Sequence, residues 1–289
     1  MGRSRPPTAA SSRRSVRYAV VGLGHIAQVA VLPAFAHAGR NSRLVAVVSD
    51  DRTKRRDIAR RYRLERTFTY DEFDDCLAGV DAVYIALPNS MHAEYTIRAA
   101  RAGVHVLCEK PMAVTVQECR QMIAACRKAN VKLMIAYRLH FEALNLSAIE
   151  LARRGRLGEL KFFTSSFSMT VRRGDIRTKQ AYGGGTLYDI GVYCINAARN
   201  LFRAEPTQVF ATSINSGLAT LAEIDETTAA TLRFGDDQVA KVFELQGLAD
   251  IADQVLLGVL LREAAARIDA ELRERLLKLL IGNVKGAKR

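Results

Sequence analysis

The chain has 289 residues, of which 49% are hydrophobic and 25% charged, as is typical of a globular protein of about two domains. It has no uncharged apolar run of about 18 residues, so we expect no membrane span and no membrane partner. The net charge of +13 is spread over predicted helix faces without a helix-turn-helix, zinc-finger or aromatic-basic pattern. We therefore expect no nucleic-acid partner.

The cysteines and the N-terminus indicate the compartment. Five cysteines stand at wide spacing without a CxxC pair, at positions 76, 108, 119, 126 and 194. This pattern predicts neither disulfides nor a metal site, and it favours a reducing compartment, the cytoplasm. Residues Met1–Ser15 are rich in Arg, Ser and Pro but lack an apolar core, so they indicate a disordered basic tail and not a secretory signal.

Strand and helix patterns alternate over residues 16–138. The predicted strands are Arg17–Val21, Leu44–Val48, Asp81–Leu87, Val104–Leu107 and Val131–Ala136. The predicted helices are Ala27–Ala38, Thr53–Tyr62, Asp71–Ala78, Ala93–Ala102, which stops at Gly103, and Thr115–Ala129, which opens with a Thr115/Glu118 capping box. Such alternation predicts an α/β fold with a doubly wound parallel sheet, the Rossmann architecture.

The pattern over residues 139–289 predicts an abbreviated α+β domain with a mostly antiparallel sheet. Its predicted helices are Phe141–Arg154 and Leu187–Asn200, and its predicted strands are Leu160–Met169, Gln208–Ser213, Ala229–Phe234 and Val239–Glu244. A hairpin turn at residues 235–237 joins the last two strands. The tail over residues 247–289 is predicted to form one or two amphipathic helices within Leu248–Ile281, with Val255 and Leu256 on one apolar face.

A glycine-rich turn directly after the first strand indicates a dinucleotide site. Residues 22–27 read Gly-Leu-Gly-His-Ile-Ala, the G-x-G-x-x-A pattern, and a helix follows. Gly22 permits the tight turn, Gly24 lets a pyrophosphate approach the backbone, and Ala27 lets the helix lie close to the strand. The free N–H groups of the helix stabilise the phosphate charge. A purely structural glycine turn is the alternative.

The end of the second strand distinguishes NAD from NADP, because an acidic residue there binds a ribose hydroxyl and basic residues bind a 2′-phosphate. The segment Ser49–Arg55 carries both kinds. Asp50 or Asp51 could serve NAD, whereas Ser49, Lys54 and their basic neighbours favour NADP. A solvated basic helix face is the alternative for these cations.

The segment Cys108–Pro111 reads Cys-Glu-Lys-Pro after a predicted strand. Ligands of doubly wound sheets lie at the carboxyl ends of the strands, so Lys110 should face the ligand there and favour a developing alkoxide. An ordinary surface lysine is the alternative. Further predicted cofactor contacts at this edge are Leu23, His25, Ile26, Leu87, Pro88, Asn89, His92 and Glu109. For His92 a structural role is equally compatible with the sequence.

A second group of polar residues follows three glycines at positions 183–185. Asp189 and Tyr193 are four residues apart on a predicted helix, so they share one face. The carboxylate could orient a substrate hydroxyl, and the phenol could exchange a proton. Helix capping by Asp189 and core packing of Tyr193 are the alternatives. Tyr137 and Arg138, after the last strand of the parallel sheet, are further candidates for substrate contact.

Together these motifs resemble the glucose–fructose oxidoreductase/inositol dehydrogenase family of NAD(P)-dependent oxidoreductases. The resemblance covers residues 17–243 and rests on the segments GLGHIA, ALPNSMH, CEKPMAV, AYRLHFE and GGGTLYDIGVYCINAAR. It implies an oligomer formed through the open sheet of the second domain and a sugar or polyol substrate. It also implies catalytic roles for Lys110, Asp189 and Tyr193, with the tyrosine form closest to the NADP-using branch.

The resemblance implies hydride transfer between a secondary alcohol carbon and the nicotinamide of NADP. Tyr193 would exchange the hydroxyl proton, Lys110 would lower the pKa of Tyr193, and Asp189 would hold the sugar. Members of the family usually continue well beyond this length where the present chain turns into its predicted helical tail. A non-catalytic NAD(P)-binding sensor or regulatory protein on the same scaffold is therefore the competing hypothesis.

Overall fold

The computed structural model describes residues 15–172, 174–235, 237–247 and 255–256. The chain divides between Ala136 and Tyr137 into two compact units, two residues from the boundary expected from the sequence. Within the described ranges, no helix combines the length and the apolar character that crossing a membrane requires. The predicted N-terminal tail lies outside the described residues except for Ser15.

A six-stranded parallel sheet forms the centre of the first unit. Its strands lie in the order β3-β2-β1-β4-β5-β6, the doubly wound order of a Rossmann fold, which confirms the predicted fold class. The strands are β1 Val16–Val21, β2 Ser42–Val48, β3 Arg66–Phe68, β4 Ala82–Ile85, β5 His105–Cys108 and β6 Leu133–Ile135. Since helices cover both faces, the central strands are continuous apolar runs.

Five helices pack against this sheet. They are α1, which begins with a wider π-turn at Ala27–Val31 and continues as Leu32–Ala34, α2 Arg52–Tyr62, α3 Phe73–Leu77, α4 His92–Arg101 and α5 Val116–Lys128. Alternate residues of β1 enter different cores. Ala19 and Val21 join the cluster around Phe73, and Val20 joins the cluster around Leu32.

Two helix ends have the local structure that the sequence predicts. Thr115 Oγ1 accepts a hydrogen bond from the amide of Glu118 at 3.1 Å, and Glu118 Oε2 accepts one from the amide of Thr115 at 2.9 Å. This reciprocal pair confirms the predicted capping box. Gly103, just past the end of α4, has a φ of 75°, the left-handed conformation expected of a glycine stop.

The second unit contains a five-stranded mixed sheet in the order β11-β7-β10-β9-β8. The strands are β7 Phe162–Thr170, β8 Gln208–Ile214, β9 Thr227–Phe234, β10 Gln238–Gly247 and β11 Val255–Leu256. Among the strands that the structure describes, only the β7–β10 pair is parallel, so the predicted mostly antiparallel sheet is confirmed. The helices are α6 Ala143–Arg153 and α7, which starts with a π-turn at Leu187–Gly191 and continues as Val192–Phe202.

The two faces of this sheet differ. On one face Phe163, Phe234 and Val242 pack with Cys194 and Phe202 of α7. The other face forms a shallow groove, in which Phe210 is 68% exposed and Phe243 is 45% exposed. The sheet therefore buries one apolar face and leaves aromatic side chains on the other.

The helix predicted across Val255 and Leu256 is wrong at these two residues. They form β11, which pairs antiparallel with Phe167 and Ser166 of β7. Their helical spacing is a local signal, whereas the free edge of β7 offers hydrogen bonds that local spacing does not reveal. The remainder of the predicted helical tail lies outside the described residues.

Candidate functional site

The carboxyl ends of the central strands of the first unit meet at one edge of its sheet. The amides of Gly22, Ala86 and Glu109, which directly follow β1, β4 and β5, donate to carbonyls of neighbouring strands at 2.9, 2.8 and 2.9 Å. The strand order reverses between β1 and β4, the position at which doubly wound folds bind ligands. The predicted cofactor motifs therefore start from a common edge.

The two glycines of the predicted dinucleotide motif differ in their surroundings. Gly22 is buried with a φ of 93°, and a Cβ there would stand 2.5 Å from the carbonyl oxygen of Ala86. Gly24 is exposed, and a Cβ there would have no atom within 4 Å. Gly22 is thus required by the fold itself, and Gly24 leaves open space above its backbone.

This bend fits a pyrophosphate. Its open space lies at the N-terminus of α1, where unpaired N–H groups favour an anion. His25 is exposed and Ile26 half-buried, whereas Leu23 is 2% exposed and its carbonyl accepts a hydrogen bond from the Gln28 side chain at 2.8 Å. Leu23 can therefore contact a cofactor only through its main chain. Ala27 is fully buried, as close packing of helix and strand requires.

At the end of β2, the predicted ribose-binding residues have distinct roles. Ser49 is 5% exposed, and its hydroxyl accepts from the amide of Asp51 at 3.3 Å. Asp51 caps α2 by accepting from the amide of Lys54 at 2.9 Å, and this hydrogen bond lowers the pKa of Asp51. Asp50 is exposed and accepts from the amide of Tyr70 at 2.9 Å. The Lys54 ammonium lies 3.1 Å from Asp51, and the Lys54 side chain is 48% exposed.

The side chain of His92 is not exposed at the sheet edge that carries the predicted cofactor motifs. It is fully buried, with Nδ1 2.8 Å from the carbonyl of Pro111 and Nε2 3.0 Å from the carbonyl of Leu87. Burial lowers the pKa of His92 despite these two carbonyls. The structural alternative thus describes His92 better than cofactor contact, since its ring links the turns after β4 and β5.

The carboxylate of Glu109 stabilises the turn that carries Lys110. Glu109 Oε1 accepts a hydrogen bond from the Tyr84 hydroxyl at 2.7 Å, and Glu109 Oε2 lies 3.3 Å from the amide of Lys110. The Lys110–Pro111 bond is cis, and Lys110 is half-buried. Of the other predicted contacts at this edge, Pro88 and Asn89 are half-buried, and Leu87 is 6% exposed.

In the second unit, Asp189 is part of an ion cluster. It lies in the π-turn of α7 and its side chain is 12% exposed. Its Oδ2 accepts from Arg177 Nε at 2.7 Å, and Arg177 Nη1 also donates to Asp175 at 3.2 and 3.3 Å. Asp189 is therefore a buried carboxylate paired with a guanidinium. The sequence does not indicate that Arg177 pairs with Asp189, because the two residues are twelve positions apart in the chain.

Tyr193, the other predicted catalytic residue of the second unit, contacts Tyr137. Its ring packs edge-on against Tyr137, with ring centroids 5.9 Å apart, and Arg138 is exposed. Tyr137 and Tyr193 both line a largely apolar cavity of about 110 Å³, which residues of α6 also line. The position of Tyr193 agrees both with packing in the core and with contact to a ligand in the cavity. Proton exchange by Tyr193 therefore stays a prediction.

Among the described residues, no group of three or more His, Cys, Asp or Glu side chains could hold a metal ion. The five cysteines are free thiols.

Comparison with known proteins identifies the family. Residues 16–137 match the oxidoreductase family with an NAD-binding Rossmann fold, and residues 146–245 match the GFO/IDH/MocA C-terminal domain. The D-xylose 1-dehydrogenase [NADP(+)] of Haloarcula marismortui is 34% identical. The matched region covers 67% of this chain and 56% of the length of that protein.

Two solved structures are also similar. The aldose-aldose oxidoreductase of Caulobacter crescentus is 39% identical, with a TM-score of 0.77 over 80% of this chain and 71% of that one. A 3-ketoreductase of Actinomadura kijaniata, in complex with NADP and TDP-benzene, is 29% identical, with a TM-score of 0.73 over 81% and 70% of the two chains. All three of these similar proteins are named as enzymes. The comparisons therefore do not favour the hypothesis of a non-catalytic sensor or regulatory protein. The chain belongs to the GFO/IDH/MocA family of oxidoreductases, and its first unit is the family's NAD(P)-binding Rossmann domain.

Proposed function

We propose that this protein is an NADP(H)-dependent oxidoreductase that transfers a hydride between the nicotinamide and a secondary alcohol or carbonyl of a sugar or polyol. The observation that carries the proposal is the placement of the Lys110 turn. It follows β5, next to β4, at the same sheet edge as the open bend at Gly24. A half-buried lysine at the sheet edge that carries the predicted pyrophosphate bend suits a reaction in which an alkoxide develops.

The chain's own residues have separate tasks in this mechanism. When bound, the cofactor supplies the hydride acceptor or donor at its nicotinamide ring. Lys110 donates a hydrogen bond to the substrate oxygen and stabilises its negative charge. Tyr193 exchanges the proton of the hydroxyl group, and Asp189 accepts a hydrogen bond from a substrate hydroxyl and orients it.

The use of NADP is supported by the start of α2. The Lys54 side chain is 48% exposed although its ammonium lies 3.1 Å from Asp51, and Arg52 and Arg55 are on the same first turn of α2. Asp50 and Asp51, either of which could serve NAD, already accept hydrogen bonds from the amides of Tyr70 and Lys54. We expect Lys54→Met to weaken NADPH binding by roughly tenfold and to leave NADH binding unchanged.

The central test replaces Lys110. We expect Lys110→Met to lower kcat with a panel of aldoses and inositols by about 10²- to 10⁴-fold, because it removes the group that stabilises the alkoxide. The dissociation constant for NADPH, measured by the fluorescence of the reduced nicotinamide, should change by less than about threefold. Lys128→Met, at the exposed end of α5, is the matched control. Wild-type turnover by Lys110→Met would overturn the assigned role.

We also propose that two copies of the chain associate through the open face of the second sheet. Phe210 and Phe243 are exposed on that face beside Thr231 and Lys241, and exposed aromatic patches favour association. Light scattering should give an oligomer for the wild type and a smaller species for a Phe210→Asp/Phe243→Asp variant. Val116→Asp, at an equally exposed site on α5, should leave the mass unchanged.

The free thiols support the cytoplasm as the working compartment, since reduced cysteines persist there.

A further inference from the structure

The loop that precedes the glycine turn of the second unit carries a guanidinium between two carboxylates. Arg177 Nε donates to Asp189 at 2.7 Å, and Arg177 Nη1 donates to both oxygens of Asp175. The side chains of Asp189, Asp175 and Arg177 are 12%, 22% and 35% exposed. The pair with Asp189 is therefore largely withdrawn from water, unlike an ordinary surface ion pair.

The charge state of this cluster follows from its contacts. Burial works against the charged guanidinium, but Asp189 and Asp175 together raise the pKa of Arg177 above its usual value. A permanent positive charge at 2.7 Å in turn favours the ionised form of Asp189. Arg177 thus supplies Asp189 with a fixed counter-ion.

The main chain fixes the same arrangement. The amide of Gly185 donates to the carbonyl of Arg177 at 3.0 Å, and the amide of Gly184 donates to the carbonyl of Lys179 at 3.0 Å. A Cβ at Gly184 would stand 2.3 Å from the Arg177 carbonyl oxygen, so this close approach requires a glycine. The amide of Asp189 then donates to the carbonyl of Gly185 at 3.2 Å. Both members of the ion pair are held by one backbone frame.

Lys179, two residues further along the loop, has a different partner. Its ammonium lies 2.5 Å from Glu223, and the two side chains are 49% and 45% exposed. This pair also joins a cation of the loop to a carboxylate, but it does not include Asp189. It therefore separates the effect of losing a loop cation from the effect of losing the partner of Asp189.

We propose that Arg177 is a positioning residue that holds Asp189 as an ionised carboxylate in one orientation, so that Asp189 accepts hydrogen bonds from substrate hydroxyls. The proposal rests on the proposed function, in which Asp189 orients the sugar or polyol. Arg177 itself is occupied by Asp189 and Asp175, so it acts through Asp189 and does not serve as an anchor for a sugar phosphate or sugar acid.

The first test does not depend on turnover. Carboxyl-carbon NMR of protein labelled with ¹³C-aspartate, assigned with Asp189→Asn, follows the titration of Asp189. In Arg177→Met the titration midpoint of Asp189 should rise by about one to three pH units, because the counter-ion is lost. Arg177→Lys should restore most of the difference, and Lys179→Met should titrate as the wild type does. An unchanged midpoint in Arg177→Met would overturn the proposal.

The second test uses kinetics with the aldose and inositol panel. Arg177→Met should lose about ten- to a hundredfold in kcat/KM and move the acidic limb of the pH profile upward, and Arg177→Lys should recover part of the loss. If Arg177→Met does not fold, the comparison of Arg177→Lys with Lys179→Met still tests the role of Arg177. Equal pH profiles in these two variants would contradict the proposal that Arg177 positions Asp189. If the wild type oxidises no sugar or polyol, the proposed function fails, and the NMR titration still tests Arg177.

Discussion

Replacing Gly22 and Gly24 by alanine, one at a time, should separate the needs of the fold from those of the cofactor. An alanine at Gly22 must adopt a φ of 93° and place its methyl carbon 2.5 Å from the Ala86 carbonyl oxygen. The backbone conformation costs about 1–2 kcal/mol, and relieving the overlap costs about 1–3 kcal/mol more. We therefore expect Gly22→Ala to lower the free energy of unfolding by about 2–5 kcal/mol, a large share of a typical total.

Gly24→Ala is the matched variant with the opposite expectation. Its methyl group meets no atom within 4 Å, and alanine restricts the unfolded chain, so the stability should change by less than about 1 kcal/mol. The same methyl group stands where the pyrophosphate would approach the backbone. We expect NADPH binding to weaken by at least roughly tenfold in Gly24→Ala.

Both variants can be measured with two assays. The chain contains no tryptophan, so urea unfolding is followed by far-ultraviolet circular dichroism and NADPH binding by the fluorescence of the reduced nicotinamide. An unfolding midpoint of Gly22→Ala equal to that of the wild type would refute the steric argument. Wild-type NADPH affinity in Gly24→Ala would refute the placement of the pyrophosphate.

Three further predictions concern the first unit. Because burial lowers the pKa of His92 below its usual 6.5, the unfolded chain binds a proton that the folded chain does not, and the wild type should lose stability as the pH falls below about 6.5. His92→Gln should remove this pH dependence in urea unfolding at pH 5 and pH 7. Thr115→Ala should cost about 1 kcal/mol through loss of the helix cap, whereas Thr115→Ser should retain it. Cys119 is the one partly exposed cysteine of the five, and burial raises the pKa of Cys76 to about 12. A thiol reagent should therefore label Cys119 first. Faster labelling of Cys76 in the native protein would contradict the described burial.

Features set by neighbouring residues could be predicted from the sequence. The capping box at Thr115, the glycine stop at Gly103 and the bend at Gly22 each depend on a few adjacent positions, and each appears as expected. Strand β3 was missed because Arg66–Phe68 is short and two of its three residues are exposed, so it offers no apolar run. Its position at the edge of the sheet explains this composition.

Features set by distant residues could not be predicted in the same way. The motif around His92 suggests a cofactor contact, but only the fold shows that both ring nitrogens face carbonyls from two separate turns. The pairing of Asp189 with Arg177 depends on the path of the loop between them. The strand at Val255–Leu256 depends on the free edge of β7. In each case a tertiary contact determines the structure, and the neighbouring residues in the sequence do not reveal it.

The position of β10 imposes an order on the folding of the newly made chain. β10 ends at Gly247, yet it lies between β7 and β9 in its sheet, so β7 stays without that neighbour until almost the whole described chain has left the ribosome. The parallel sheet of the first unit has all six strands by Ile135 and can form earlier. A premature stop before Gln238 would therefore leave a complete Rossmann sheet attached to an unpaired, aggregation-prone strand.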